Sequence, residues 1–346
     1  MDHAGSGFVN VCDHGAVGDG RTDSTLAIRR ALEATPRPGG VLLFPPGRYL
    51  TDTIYPPDSV TLLGHAAFGY QDPGGVVLSP VKATQPRLID LNGKVGTRLV
   101  GLTLHGQDLG EDMDGVYTAR PGNREQHVVI DNCRIEHFTG SGVAMGEAHV
   151  WTVRHCIIFA NRRDGIDARN AFDGWIHDNQ IPANGGCGIR VNNSVTITGN
   201  RIEHCGEAGI LFNRHYSQHV QITGNLFCSN RGPALVIPKG NVRAISVTGN
   251  TLRNSGLARS GDPHHDCHCQ FDGAQGLAFT GNALHVLWND NPTHGLVLRG
   301  LVESIVSHNT LFKGATQQLI LDEGGHRDSI IEHNPGSLKL PDDLDS

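Results

Sequence analysis

The chain has 346 residues, 45 of them glycine, a formal net charge of −7 and an aromatic content of 5%. An acidic chain without a basic run excludes a nucleic-acid partner, and the absence of any apolar run near the roughly 20 residues of a membrane span excludes a membrane one. Abundant glycine with little aromatic surface favours short strands joined by tight turns over helices packed on one large core.

Met1-Asp2-His3-Ala4-Gly5-Ser6-Gly7 carries no charged segment followed by an apolar one, so no signal peptide is read here. The expectation is a cytoplasmic chain, or an exported one whose signal has been removed. The first predicted element is a helix over residues 23–34. Asp23 or Ser24 is its N-cap, and Ala27, Ile28, Ala31 and Leu32 keep helical spacing. Residues 1–40 are read as an N-terminal cap built on this helix, because a solenoid must close its exposed end. Gly40-Val41-Leu42-Leu43-Phe44-Pro45-Pro46-Gly47 then starts the strands.

From residue 41 to 336 the chain repeats itself. Val195-Thr196-Ile197-Thr198-Gly199-Asn200 returns as Val220-Gln221-Ile222-Thr223-Gly224-Asn225, as Ile245-Ser246-Val247-Thr248-Gly249-Asn250 and as Leu277-Ala278-Phe279-Thr280-Gly281-Asn282. Weaker copies end at Asn132, His155, Asn179, Asn309 and Asn334. A period in the range of roughly 20–50 residues marks a solenoid. Each repeat holds three strand-like pieces, such as 195–198, 201–203 and 209–212, divided by turn signals. Stacking like pieces gives parallel sheets at about 4.8 Å per step, with the terminal Asn of each copy bridging the turns above and below. Cys133 and Cys156 follow the ladder position and are expected one coil apart as buried free thiols. Residues 337–346 read as a polar tail.

Gly15-Ala16-Val17-Gly18-Asp19-Gly20, the helix after it, and Phe44-Pro45-Pro46-Gly47-Arg48-Tyr49 resemble the opening of the pectate-lyase-like superfamily. That group includes polygalacturonases, phage tailspikes and inulin fructotransferases. The resemblance implies an all-β, right-handed parallel β-helix. Asn161-Arg162-Arg163-Asp164-Gly165-Ile166-Asp167 resembles the polygalacturonase N-T-D-G-I-D segment and carries its catalytic Asp onto Asp164. The paired Asp of the next coil is replaced by Gly185-Gly186-Cys187-Gly188, and the His-Gly by Glu207-Ala208-Gly209. Asp178-Asn179-Gln180-Ile181 is similar to an inulin fructotransferase segment bearing a catalytic Asp, which makes Asp178 a candidate; the partner Glu of that family falls near Arg190.

Alternation along the third strand of each coil sends Val116, Val143, Ile166, Ile189, Ile210 and Leu235 inward. Tyr117, Ala144, Asp167, Arg190, Leu211 and Val236 then form an outward row. The polar end of this row is the candidate site. Asp114, Asp164 and Asp167 are catalytic candidates because glycosidic cleavage needs two carboxyl groups at a set separation. Tyr117, Arg169 and Arg190 are candidates for holding substrate. The bland alternative is an Asp164 that caps a turn and an Asp167 that pairs with Arg190 on a solvated face. Leu211, Val236, Val297 and Ile320 read as an apolar continuation, either a homotrimer interface or a strip covered by the chain's own insertion after Asn254. Within that insertion, His264-His265-Asp266-Cys267-His268-Cys269 has metal-ligand residue types but no standard spacing, and is read as a polar loop. No cofactor or metal is expected.

These features point to a carbohydrate-active enzyme that cleaves or transfers a glycosidic bond. A polysaccharide lyase or uronate epimerase is the nearest alternative, with Arg169 or Arg190 neutralising a uronate carboxylate and Tyr117 or a basic side chain taking the C5 proton. A non-catalytic glycan-binding spike would need exposed aromatic platforms, for which Trp151, Trp175 and Trp288 are the tryptophans available. A small-metabolite enzyme is a further alternative.

Overall fold

The computed structural model describes residues 7–69, 74–119, 125–287, 292–341 and 343. Two compact units emerge: Met1–Asp167 with Asp173–Trp175, and Ala168–Phe172 with Ile176–Ser346. Trp288 lies outside the described residues.

In the first unit, every paired strand is parallel to its neighbours. The first sheet stacks Phe8–Asn10, Val41–Leu43, Thr61–Leu63, Arg98–Val100, Val128–Asp131 and His149–Arg154 in that order. A second runs through Asp19–Asp23, Gly47–Thr51, Val76–Pro80, Thr103–His105, Arg134–Glu136 and Ile157–Phe159. The third holds Arg87–Asp90, Asp114–Thr118, Val143–Met145 and Ile166–Asp167. Strands therefore begin upstream of residue 41: two of them precede the helix. Their three to five residues carry too little apolar alternation to stand out from the cap they share.

The helix spans Thr25–Ala34 and buries Thr25, Ala27, Ile28, Ala31 and Leu32, the predicted face. Ser24 stands at the N-cap, but its hydroxyl is turned to Val17; the Thr25 N–H instead donates to Asp23 Oδ1 at 2.9 Å. Both predicted caps thus take part, each with a different duty.

The second unit repeats the plan. Its third sheet stacks Ile189–Val191, Ile210–Phe212, Leu235–Ile237, Cys267–Asp272, His294–Arg299 and Gln318–Asp322. The core is a column of inward aliphatic and aromatic side chains, among them Ile189, Ile210, Leu235, Cys269, Leu296, Ile202, Phe227, Leu252 and Leu284, all 0–1% exposed.

The Asn ladder holds one corner. Asn200 Nδ2 donates to Asn225 Oδ1 at 3.0 Å and to the Ile176 carbonyl at 2.9 Å, and the Asn200 N–H donates to the same Asn225 oxygen at 2.9 Å. The pattern continues through Asn250, Asn282, Asn309 and Asn334. Before each strong copy sits a glycine, Gly199, Gly224, Gly249 or Gly281, at φ between 65° and 66°. A left-handed residue turns the corner there, and glycine does so without a Cβ penalty. In the first unit Asn132 and His155 occupy this left-handed position, at φ 50° and 53°. The ladder residues are then Cys133 and Cys156, so the weaker copies there end one residue later than the repeat alone indicates. The Cys133 N–H donates to Cys156 Sγ at 3.4 Å, and both thiols are buried and outside any disulfide.

The tail is tied down. Lys339 is 3% exposed, its N–H donates to the Ala315 carbonyl at 2.8 Å, and Lys313 pairs with Asp343 at 3.3 Å. Among the described residues no helix is long and apolar enough to cross a membrane.

Candidate functional site

The third sheet of the first unit carries Asp114, Tyr117 and Asp167 on its strands, and Asp164 lies in the turn before the strand of Asp167. Asp90, Tyr117, Ala144 and Asp167 are register partners on successive coils and form one row. Arg87 and Asp114 begin a parallel row, which Ser141 and Asp164 continue at the matching positions of the next two coils. Asp114 and Asp164 are thus two coils apart, about 9–10 Å at one strand spacing per coil. Ser141 and Ala144, both small, occupy the coil between the two acidic ones.

Partners hold several of these side chains in place. Asp114 Oδ1 accepts the Ser141 N–H at 2.8 Å. The Arg87 guanidinium lies 3.9 Å from the Tyr117 ring centroid, and its Nη1 is 3.5 Å from Asp90 Oδ2. Gly146 backs the phenol, since a Cβ built there would stand 3.2 Å from Tyr117 Oη. Asp164 is 3% exposed, whereas Asp167 is half-buried.

Burial pushes the Asp114 carboxyl up to about 6, and the negative charge of Asp167 pushes the same way. The Ser141 N–H and the charges of Arg87 and Arg163 oppose the rise without cancelling it. Desolvation wins because a single amide donor replaces only part of the water shell that the carboxylate loses. Near neutral pH Asp114 therefore sits at the balance between proton donor and acceptor, which is where acid–base chemistry is most efficient.

The other candidates lie in the second unit. Asp178 does not share a sheet face with Arg190. It occupies the left-handed corner before the Asn ladder, at φ 57°, with His177 Nδ1 2.9 Å from its Oδ2 and Gly199 packed against its Oδ1. Arg190 and Arg169 line a cleft of about 440 Å³, with Arg190 Nη2 donating to Glu207 Oε2 at 2.7 Å. Glu207 also accepts from Cys187 Sγ at 3.4 Å.

The apolar row is shorter than its sequence suggests. Its register runs Leu211, Val236, Gln270, Val297, Leu321. Gln270 interrupts the stripe, Ile320 belongs to the neighbouring position beside Leu296, and Val297 is 1% exposed within the single chain. Leu211 and Val236 floor a second cleft of about 530 Å³, walled by Ala258, His264 and His265 of the insertion after Asn254. The insertion that the sequence offered as a cover for this strip thus lies against Leu211 and Val236, whereas Gln270 escaped the row because the insertion lengthens one coil and shifts the frame.

Within that insertion the metal-type residues diverge. His264 Nε2 is 3.1 Å from Glu323 Oε1, and His265 Nδ1 is 3.6 Å from Asp262. Asp266 accepts from the Ser260 and Gly261 N–H groups. His268 is fully buried, which depresses its imidazole to about 3, and Cys269 faces the core. Elsewhere in this unit Glu203, His204 and Cys228 bring ligand atoms within 4.8 Å of one another. There Arg253 already donates to Cys228 Sγ at 2.9 Å and Arg201 pairs with Glu203 at 2.8 Å, so two cations hold the donors. Trp151 is buried and Trp175 is 45% exposed.

A family profile described as "Right handed beta helix region" matches residues 114–284. The chain is a right-handed parallel β-helix. This β-helix is 25% identical over 187 residues to mannuronan C5-epimerase AlgE6 of Azotobacter vinelandii, a match covering half of this chain and 20% of that protein. The chain thus spans about a fifth of the length of the curated relative it matches. Among solved structures, the A-module of that AlgE6 superposes with a TM-score of 0.71 at 16% identity, covering 96% of this β-helix and 100% of the module. The DFA-IIIase of Arthrobacter chlorophenolicus A6, without its lid, superposes at 0.65 and 14% identity, covering 93% of each chain.

Proposed function

We propose that this β-helix is a carbohydrate-active enzyme whose acid–base site is drawn from Asp114, Tyr117, Asp164 and Asp167. What supports the proposal is the register that sets Tyr117 and Asp167 in one row with Asp114 beside it, close enough for the charge of Asp167 to act on the largely buried Asp114 carboxyl. In glycosidic cleavage, protonated Asp114 gives its proton to the glycosidic oxygen as the C1–O bond breaks. Asp164 or Asp167 takes a proton from the water or sugar hydroxyl that attacks C1. The two-coil strand separation of about 9–10 Å reaches the upper edge of the roughly 6.5–9.5 Å that inversion needs between its carboxyl groups. Tyr117, oriented by Arg87, offers a hydroxyl to the sugar.

Uronate C5 chemistry is the second reading, and the match to a mannuronan C5-epimerase favours it. Here Arg87 neutralises the uronate carboxylate, and Tyr117 or one of the carboxylates exchanges the C5 proton.

Product analysis by mass spectrometry and proton NMR separates these readings. The protein is incubated with neutral fructans, glucans and uronate polymers. A hydrated or cyclised product supports glycosyl cleavage or transfer. Deuterium uptake at C5, or an unsaturated uronate absorbing in the ultraviolet, selects the second reading. No change in any polymer overturns both.

A further inference from the structure

The cleft floored by Leu211 and Val236 is a cavity that the proposed reaction does not use. Register puts Leu211, Val236 and Gln270 on three successive coils, so the floor runs about 10 Å at one strand spacing per coil and ends on an amide. All three residues are half-buried. Pro233 and Ala258 add apolar surface to the lining. The volume of about 530 Å³ is that of a small-ligand site, and so is the mixture of aliphatic surface with a few polar groups.

The insertion after Asn254, which walls the cleft, is tied along its length. The Gly256 N–H donates to the Gly232 carbonyl at 2.8 Å, and the Gly232 N–H donates to the Glu207 carbonyl at 3.1 Å. The His264 N–H donates to Asp262 Oδ1 at 2.9 Å, and His264 Nε2 is 3.1 Å from Glu323 Oε1. Asp266 accepts the Ser260 and Gly261 N–H groups at 3.0 and 2.8 Å. These bonds order the wall within the chain itself, so little ordering is left for a ligand to impose.

The polar lining selects by hydrogen bonding more than by charge. Among the described residues, and apart from its imidazoles, it carries one carboxylate, Glu207, and one guanidinium, Arg231, both on exposed residues. Opposite charges leave no net charge with which to choose an ion. In hydrogen bonding the three groups are complementary: Glu207 only accepts, Arg231 only donates, and Gln270 does both. A simple anion or cation uses one of these kinds, and an aliphatic chain uses none. A neutral sugar ring uses all of them, because each hydroxyl both donates and accepts while the C–H face of the ring leaves water for an aliphatic floor.

We infer that this cleft of the second unit binds a neutral sugar ring, its C–H face on Leu211 and Val236 and its hydroxyls on Gln270, Glu207 and Arg231. The inference rests on the reading of the chain as a glycan-acting protein, and adds a recognition site that does not include Asp114 and has its own sugar class.

The test is calorimetric titration of the full chain with α-1,4-glucan, β-1,4-glucan and β-2,1-fructan hexamers and with a uronate hexamer. Asp114→Asn is the background throughout, so that no glycan turns over. Gln270→Ala removes the amide at the end of the floor, and Ala258→Trp fills the cleft from the insertion; circular dichroism verifies folding. The expected result is that a neutral hexamer binds, about tenfold more weakly in Gln270→Ala and not measurably in Ala258→Trp, with an affinity that hardly changes as salt rises. Should either variant not fold, Arg231→Ala, at an exposed residue, replaces it and also weakens binding. Absence of binding by all three neutral hexamers overturns the inference, as does neutral binding that neither variant alters. Uronate binding that Ala258→Trp abolishes and salt weakens overturns it too. Turnover of a glycan by the wild-type chain alongside any of these outcomes leaves an enzyme acting at Asp114 intact. Neutral binding lost in Ala258→Trp, with no turnover of any glycan by the wild type, keeps the inference and removes the proposed activity instead.

Discussion

The Ser141 N–H donates to Asp114 Oδ1 at 2.8 Å, from one coil further along the third sheet. That bond favours the carboxylate, yet burial still holds Asp114 at about 6. If Asp114 is the acid of the reaction, kcat/KM falls as pH rises through about 6. Asp114→Asn lowers it by about 10²–10⁴-fold and removes that limb of the profile. A variant that keeps the limb assigns it to another group.

The same shift bears on stability. The folded pKa of Asp114 lies above its usual 3.8, so the folded chain binds more protons than the unfolded one between about pH 4 and 6. Its contribution is full below pH 3.8 and is lost as pH rises through about 6, by up to about 3 kcal/mol. Urea unfolding at pH 4.5 and 7.5 measures this: Asp114→Asn gains stability relative to wild type at the higher pH. An equal difference at both values contradicts the burial argument.

Asn225 is a representative inner rung of the ladder, with the same set of bonds as Asn200, Asn250 and Asn282. Its Nδ2 donates to Asn250 Oδ1, the Ile197 carbonyl and the Thr223 carbonyl, and its Oδ1 accepts two bonds from Asn200. Asn225→Ala strands several buried groups at once and costs about 3 kcal/mol or more. Exposed Thr223→Ala, in the same turn, stays within about 0.5 kcal/mol. Denaturant midpoints for the two variants decide it, and comparable losses would show that the ladder is not what holds this corner.

The ladder also shows why the fold is legible in the sequence and the site less so. A corner that must be left-handed and then bridged selects Gly-Asn in coil after coil, so a structural need writes itself as a repeat. Chemistry has no such echo. Arg87 reaches the site through register with Asp114 and stacking on Tyr117, neither of which has a local signature. Asp178 resembles a catalytic segment but belongs to the corner, because nearby residues of one coil feed different sheets. Gln270 is hidden by the insertion after Asn254, which breaks the even spacing that row assignment depends on, although Val297 beyond it is legible in the row.

Gly174 lies against the Trp151 indole: a Cβ added there would be 2.2 Å from Cζ2. Trp151 is 1% exposed and has no room to retreat without displacing its core neighbours. Gly174→Ala is expected to destabilise the first unit by about 1–3 kcal/mol, the usual cost of overpacking. It should also shift tryptophan emission. A variant with wild-type emission and midpoint would mean that the indole does not pack on this strand.

Thiol chemistry tests the solenoid interior as a whole. None of the eight cysteines is in a disulfide, and Cys12 alone is exposed. Burial raises Cys156, Cys267 and Cys269 well above the usual thiol range, and the thiolate is the reactive form. An alkylating reagent followed by peptide mass spectrometry should label Cys12 quickly and the other seven only after denaturation. Rapid native labelling of Cys133 or Cys156 would be incompatible with their place in the ladder. Labelling of Cys267 alone would instead locate the opening in the insertion above it, whose Asp266 cap is the chief restraint on that wall.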